Sequence, residues 1–363
     1  MMEKLKVAVL GATGMVGQRF ISLLEDHPWF EVSTLAASPR SAGRTYSEAV
    51  GERWKLEKPM PEVVKNMVVK DVSDVKAVAE EVDFCFSAVD MTKDEIKRIE
   101  EEYAKAETPV VSNNSAHRWT PDVPMLIPEI NPEHAGVIEY QRRRLKTKRG
   151  FIAVKPNCSI QAYAPAVHIW REFEPIKLVV STYQAISGAG KTFKDWPEMV
   201  GNVIPYIGGE EEKSEKEPLK IYGHIDVNSG TIIPAEGPLI TSQCIRIPVL
   251  NGHTASVFID FNKKPSKEEL IEALVSYKGE PQRLELPSAP KQFIQYLEDD
   301  NRPQVTLDVD FERGFGISIG RLREDSLFDY KFVGLAHNTV RGAAGGAVLG
   351  AELLTAKKFI EKK

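Results

Sequence analysis

Cysteine is scarce in this chain: there are three, Cys85, Cys158 and Cys244. Three thiols form no even disulfide framework, and none has metal-ligand spacing. That excludes a disulfide-stapled scaffold and a structural zinc site, and it makes a reducing cytoplasm the expected setting. No apolar stretch is long enough to span a bilayer, and no cleavable apolar leader precedes the first strand pattern, which argues against a membrane partner or export. Positive charge is not in excess. The chain has 47 Lys and Arg against 52 Asp and Glu, a formal net charge of −5, so no general affinity for nucleic acid is expected. The basic run Arg142 to Arg149 has Glu129, Glu133 and Glu139 nearby and reads as a solvated helix end. Internal repeats and low-complexity linkers are missing too.

What is present is an ordinary globular chain of 363 residues, long enough for two domains and a sizeable core. Apolar runs at Leu5–Leu10, Val32–Ala37, Val82–Ala88 and Pro109–Ser112 alternate with charged helical stretches such as Lys93–Ala106. Strands alternating with helices imply an α/β fold with a parallel, doubly wound sheet of the Rossmann type. Beyond Cys158 the pattern changes. Alternating strands are expected at Leu178–Gln184, Thr241–Asn262 and Arg302–Asn338, with a helix near Lys267–Tyr277. This reads as an α+β domain with a largely antiparallel sheet. Thr339–Lys363 reads as one long helix that completes the first domain. The expected division is therefore 1–157 with 339–363 for the nucleotide, and 158–338 for substrate and oligomerisation.

The loop Gly11-Ala12-Thr13-Gly14-Met15-Val16-Gly17 joins the first strand to the first helix. Glycines let backbone approach a pyrophosphate, and the helix start receives its charge, so a dinucleotide is expected here. An acid is missing where the second strand ends. An NAD site usually offers one there to the ribose hydroxyls. This chain has Ser38, Arg40, Ser41 and Arg44 instead, which suit the 2′-phosphate of NADP.

Cys158 lies in Lys155-Pro156-Asn157-Cys158-Ser159, between a strand-like run, Phe151–Val154, and a helix-like one. A lone cysteine is ordinarily packing. A thiol at a helix start is different, because free N–H groups there favour a thiolate, the nucleophilic form. Cys85 in Phe84-Cys85-Phe86 reads as strand core, and Cys244 as packing. A nucleophile needs a base. Arg246 and His253 bracket what reads as one hairpin and are candidates to point into one cleft. Gly208-Gly209 precedes a compact charge cluster, Glu210-Glu211-Glu212-Lys213, whose Glu210 and Lys213 share a face if the segment is helical.

These pieces occur in a telling order: Gly11 to Gln18, Pro156-Asn157-Cys158-Ser159, Tyr183 to Gly190, Arg246 to His253, and Asn338 to Gly345. Together they resemble the aspartate-β-semialdehyde dehydrogenase family, and the Gly208–Lys213 block with the Ser41-Ala42-Gly43 loop resembles its archaeal and fungal branch. The resemblance implies a reaction. L-Aspartyl 4-phosphate is reduced with NADPH to L-aspartate 4-semialdehyde and phosphate, through a thioacyl group on the cysteine, in the biosynthesis of lysine, threonine, methionine and isoleucine. It implies Cys158 as nucleophile, His253 as acid/base and Gln184 as the group beside the acyl carbon. It implies Arg246 for the α-carboxylate, Glu210 for the ammonium, Lys213 and Arg118 for the phosphate, and Asn157 beside the nucleophile. Ser87, Ser187, Gly188 and Asn338 match cofactor-facing positions, and a homodimer or homotetramer is implied. Rivals with the same fold are malonyl-CoA or succinyl-CoA reductases and N-acetyl-glutamyl-phosphate reductase. Asn157, Glu210 and Lys213 argue against the first, since an acyl-CoA needs no amine and phosphate sites, and Glu210 argues against the second, whose substrate has a blocked amine. A non-catalytic NADP-binding sensor would be expected to lack Cys158 or His253.

Overall fold

Short apolar runs flanked on both sides by helices build the first sheet of the computed structural model, which describes residues 3–363. Its strands are β1 (Leu5–Leu10), β2 (Phe30–Ala37), β3 (Lys70–Asp71), β4 (Phe84–Ser87), β5 (Val110–Ser112) and β6 (Ile152–Val154). They lie in the order β3-β2-β1-β4-β5-β6 with every pairing parallel, as the alternating pattern predicts. Parallel strands are covered on both faces and so carry unbroken apolar runs. Val7 to Leu10 and Phe84 to Phe86 are accordingly buried throughout. The helix Lys93–Lys105 starts with a capping box between Thr92 and Glu95 and packs Ile96, Ile99 and Tyr103 inward.

The second sheet uses β7 (Pro175–Gln184), β10 (Leu239–Arg246), β11 (His253–Phe261), β12 (Ile294–Leu297), β13 (Ile317–Glu324) and β14 (Tyr330–Ala336). A separate pair, β8 (His224–Asp226) and β9 (Thr231–Ile233), lies outside it. The order is β10-β7-β11-β14-β13-β12. The three central pairings are antiparallel and the two outer ones parallel, so the sheet is mixed. The turn after Cys158 and the helix Lys267–Ser276 cover one face. On the other, Val179, Ser181, Tyr183, Ser256 and Phe258 stay partly or fully exposed.

Several expectations need correction. β10 and β11 are not a hairpin, because β7 lies between them and pairs with both. Arg246 and His253 still reach the same end of the sheet, on either side of Gln184. Only Ile317–Glu324 and Tyr330–Ala336 of the expected 302–338 strands exist; the preceding residues form short helical turns, and β12 was not anticipated. The final segment is not one helix. Val340–Ala344 is a wide turn broken at Ala343 (φ −142, ψ −111), and the α-helix runs only over Gly345–Ala356. Beside the break the packing is tight: a Cβ on Gly342 would lie 2.8 Å from that of Cys158. The helix buries Ala347, Val348, Ala351 and Leu354 with Val7, Val9 and Phe86 of the first sheet. The tail then returns to the strand ends, where the Lys363 N–H donates to Asp83 at 2.7 Å. Arg149 of the basic run donates to the Glu361 and Lys362 carbonyls, and Arg144 pairs with Asp122, so that run is a structural clamp. Among the described residues no helix is long and apolar enough to cross a membrane.

One buried ion pair anchors the C-terminal segment, and its arginine also reaches the second part of the chain. Arg341 donates to both oxygens of Glu129 at 2.6 Å and to Gln161 at 3.2 Å, with its guanidinium 4.7 Å from the centre of the Phe293 ring. Both charged side chains are fully buried. Removing one partner of such a pair leaves the other charge uncompensated, at a cost of about 3–5 kcal/mol. Glu129→Gln should therefore lower the thermal and urea midpoints markedly, whereas Glu139→Gln, at an exposed ion pair, should leave them nearly unchanged. Equal midpoints for the two variants would contradict this account.

Candidate active site

Two adjoining clefts open where the sheets meet. The first, about 410 Å³, runs along Gly11, Thr13 and Gly14 and past Ser38, Arg40 and Ser41. The local backbone explains the glycines. Gly11 has φ +80, and a Cβ there would sit 2.3 Å from the Ala88 carbonyl. The helix Met15–Leu24 begins at Gly14, which has no side chain to cap it, so its first N–H groups are left free for an anion. Gly17 does not line the cleft. A Cβ there would meet the Gly11 carbonyl at 2.3 Å, so its role is to let the helix lie close to the strand. Arg44 and Arg53 join Arg40 on the wall, against one carboxylate, Asp90. This excess of guanidinium beside two serines, with no acid at the end of β2, fits a phosphorylated ribose.

The second cleft, about 270 Å³, is lined by Met15, Val16, Arg118, Asn157, Cys158, Ser187, Gly188, Glu210, Lys213 and Asn338 among others. Cys158 Sγ lies 3.3 Å from His253 Nε2, and the Ala185 N–H donates to His253 Nδ1 at 3.0 Å. Arg246 Nη1 donates to the Ala185 carbonyl at 2.6 Å. Gly188 sits over both groups: a Cβ there would come within 3.0 Å of Arg246 Nη1 and 3.2 Å of the imidazole. Glu210 is the hub of the opposite wall. It accepts from Asn157 Nδ2 at 3.0 Å, Lys213 Nζ at 2.7 Å and Gln184 Nε2 at 3.3 Å. Gln184, Arg246 and His253 stand behind the cleft surface. Asn338 Nδ2 donates to Ser187 Oγ at 2.8 Å, while its carbonyl takes the Gly252 N–H. Ser87 is corrected from a cofactor-facing position to a buried one: it lines neither cleft and accepts from Asn114 at 3.2 Å.

Comparison with known proteins decides the family. Residues 6–138 match the family described as semialdehyde dehydrogenase, NAD binding domain, and residues 169–341 match its dimerisation domain. Aspartate-semialdehyde dehydrogenase of Methanothermobacter thermautotrophicus is 44% identical over 96% of this chain and 98% of that protein. The enzyme of Schizosaccharomyces pombe is also 44% identical, over 97% and 98%.

The chain belongs to the aspartate-semialdehyde dehydrogenase family.

The crystal structure of the Candida albicans family member with NADP superposes with a TM-score of 0.88 at 38% identity, covering 99% of this chain and 100% of that one.

Within this family framework the electrostatics of Cys158 differ from the sequence expectation. Ser159–Ala162 is a single 3-10 turn and the α-helix starts at Ala164, so few aligned peptides act on the sulfur. Burial raises the Cys158 thiol above its ordinary value and Glu210 adds to this; Lys155, Arg118 and Arg246 oppose. Burial and Arg246 push the His253 imidazole down to about 3. Glu210 is also disfavoured by burial, but Lys213, Asn157 and Gln184 hold its carboxyl below the usual range. Lys155 is fully buried, donates to the Pro156 carbonyl at 2.6 Å and is pushed by burial to about 7.

Three residues of the site were not anticipated. Glu217 accepts from Arg118 Nη1 at 2.9 Å and from the Asn157 N–H at 2.6 Å, so one buried carboxylate holds both the Arg118 loop and the Cys158 loop. Arg118, expected to meet phosphate, therefore reaches the cleft already paired. Lys220 donates to the carbonyls of Arg118, Thr120 and Val123 at 2.7–3.0 Å. Arg53 is brought in by Gln18, which takes its carbonyl at 2.8 Å. Glu210, Glu217 and Lys220 recur at helical spacing along Glu210–Tyr222, a signal that was readable. No motif marks Arg53.

The raised thiol makes a testable prediction. A group with an elevated pKa gains its thiolate only as pH rises, so alkylation of Cys158 by iodoacetamide should be slow at pH 7. It should keep accelerating beyond pH ~8.5, where a free cysteine is half ionised. Cys85, buried with its thiol pushed far up, should not react in the folded protein. A rate plateau at or below pH 7 would mean a resting thiolate and overturn this electrostatic picture.

Proposed function

We propose that this protein catalyses the NADPH-dependent reductive dephosphorylation of L-aspartyl 4-phosphate to L-aspartate 4-semialdehyde, in amino-acid biosynthesis. The observation that carries the reading is the 3.3 Å Cys158–His253 pair, set between an arginine and a lysine-backed carboxylate in one cleft. Cys158 attacks the acyl carbon and becomes acylated as phosphate departs. His253 assists at the sulfur, and Gln184 lies beside the acyl group. Bound NADPH supplies the hydride. Arg246, whose planar fork suits a carboxylate, holds the α-carboxylate. Glu210 receives the ammonium, and Lys213 with Arg118 offers charge to the phosphate. Gly11, Thr13, Gly14, Met15 and Val16 would hold the pyrophosphate side of NADP. Ser38, Arg40 and Ser41, with Arg53, would read its 2′-phosphate, and Ser187, Gly188 and Asn338 the nicotinamide end.

The same reading divides the chain into 1–157 with 339–363, and 158–338. The shared core of the C-terminal helix and the first sheet supports this. A cytoplasmic homo-oligomer, dimeric or tetrameric, fits as well. The match of 169–341 to a dimerisation domain and the open apolar sheet face around Val179 and Phe258 support self-association.

The decisive assay mixes the full chain with L-aspartate 4-semialdehyde, NADP and inorganic phosphate. NADPH should form only with phosphate present, faster with NADP than with NAD, and Cys158→Ser should lose nearly all turnover while still binding NADP. Equal rates without phosphate, or a requirement for CoA, would refute the function.

Two substitutions separate the charge sites. Arg246→Lys keeps the charge but loses the fork, and should depress kcat/KM for the semialdehyde strongly with less effect on phosphate. Lys213→Ala should do the reverse, raising KM for phosphate most. Identical profiles for the two variants would abolish the separate assignments.

A further inference from the structure

Pro156 has no N–H, so the chain leading into Cys158 has one backbone donor fewer to hold its place. An ion pair takes over that task. Arg118 Nε donates to the Lys155 carbonyl at 3.0 Å, and Arg118 Nη1 donates to Glu217 Oε1 at 2.9 Å. Glu217 Oε2 then accepts the Asn157 N–H at 2.6 Å. These three bonds close a ring through Lys155, Pro156 and Asn157, and Cys158 is the next residue. The ring is shut off from water, with the Arg118 and Glu217 side chains 8% and 1% exposed.

Each oxygen of Glu217 serves a different partner. One holds the backbone before Cys158, and the other holds a guanidinium that lines the same cleft. Arg118 has five N–H groups, of which the Lys155 carbonyl, Glu217 and, at 3.4 Å, the Asn113 carbonyl take three. One N–H is left on each terminal nitrogen, a pair suited to an anion. We infer that Glu217 is a positioning residue for the reaction: it fixes the Cys158 thiol and the free edge of Arg118 at one separation, so that attack and phosphate departure are served together. This rests on the reading that Cys158 is the nucleophile and Arg118 meets the phosphate.

The two loops have other anchors of their own. Lys220 holds the 118–123 loop through three carbonyls. Asn157 Nδ2 donates to Glu210, and its Oδ1 accepts from the Ser159 N–H and Oγ. What Glu217 alone supplies is the link between the loops. Its loss therefore acts on their relative placement, and a shift of about 1 Å between reacting groups costs on the order of a hundredfold in rate.

The isosteric amide isolates this link. A carboxylate accepts at both oxygens, whereas a glutamine has one acceptor and one NH₂. In Glu217→Gln that NH₂ must face either Arg118 Nη1 or the Asn157 N–H, a donor against a donor, so one of the two partners is released. With Arg118→Ala in the background only the Asn157 N–H remains, and the glutamine oxygen can accept it. The same substitution should then be nearly silent.

The test is a double-mutant cycle on the full chain, read as phosphate-dependent oxidation of L-aspartate 4-semialdehyde. Glu217→Gln should lower kcat by about ten- to a hundredfold and raise KM for phosphate by about tenfold, with KM for the semialdehyde and the affinity for NADP within about twofold of wild type. In the Arg118→Ala background it should change kcat and the phosphate KM by less than about threefold. Glu212→Gln, at an exposed ion pair on the same helix, should match wild type. Losses that multiply independently in the double variant overturn the inference. So does a lower KM for phosphate, which would make Glu217 a counter-charge, and so does a parallel change in every constant including NADP affinity, which would make it a general structural support. If Glu217→Gln does not fold, Glu217→Asp keeps the charge but is one methylene too short to span both partners, and should show the same split; wild-type constants there overturn the inference equally. No phosphate-dependent turnover by the wild type would sink the proposed function itself, whereas an active wild type with an equally active Glu217→Gln removes only the positioning role.

Discussion

The placement of β7 between β10 and β11 is the constraint on which the site depends. β7 pairs in parallel with β10, setting Arg246 opposite Gln184, and antiparallel with β11, setting Thr254 opposite Tyr183. Three side chains from three strands therefore end at one edge of the sheet. Just past that edge the Ala185 peptide groups serve both neighbours, its carbonyl accepting from Arg246 and its N–H donating to His253. A slip of one residue in β7 would turn Gln184 to the opposite face and move Ala185 away from the imidazole.

Opposite this edge, the helix Glu210–Tyr222 does the complementary work. Its inward stripe of Glu210, Ser214, Glu217 and Lys220 is polar and almost wholly buried. Such groups are costly unless every one is paired. Each is: Glu210 with Asn157, Gln184 and Lys213, Ser214 with Ser159, Glu217 with Arg118 and the Asn157 amide, and Lys220 with three carbonyls. The helix thus fixes the Cys158 loop through Asn157, while Cys158 lines the cleft.

The close fit of the C-terminal segment joins the Cys158 loop to the core of the first sheet. Gly342 lies against Cys158, Arg341 reaches Glu129, and the helix that follows enters the core of the first sheet.

Local pattern was sufficient for much of this. The alternating runs and the glycine loop specified the parallel sheet and its nucleotide cleft, because buried parallel strands and tight glycine turns leave marks within a few residues. The missing acid after β2 was legible in the same way, and so were Cys158, His253, Arg246, Glu210 and Lys213 as candidates that the fold brings together, with the family resemblance supplying their expected roles. Strand order was not legible, since the insertion of β7 between β10 and β11 is a pairing between distant segments that leaves no local trace. The electrostatic setting of Cys158 and His253 was not legible either, for a related reason. It depends on burial and on groups such as Lys155, Arg246 and the Ala185 amide, which only the folded chain brings within reach. Sequence determined which groups the protein carries; tertiary structure decided which of them meet and how deeply each is buried, because desolvation and hydrogen-bond partnership are properties of neighbours in space.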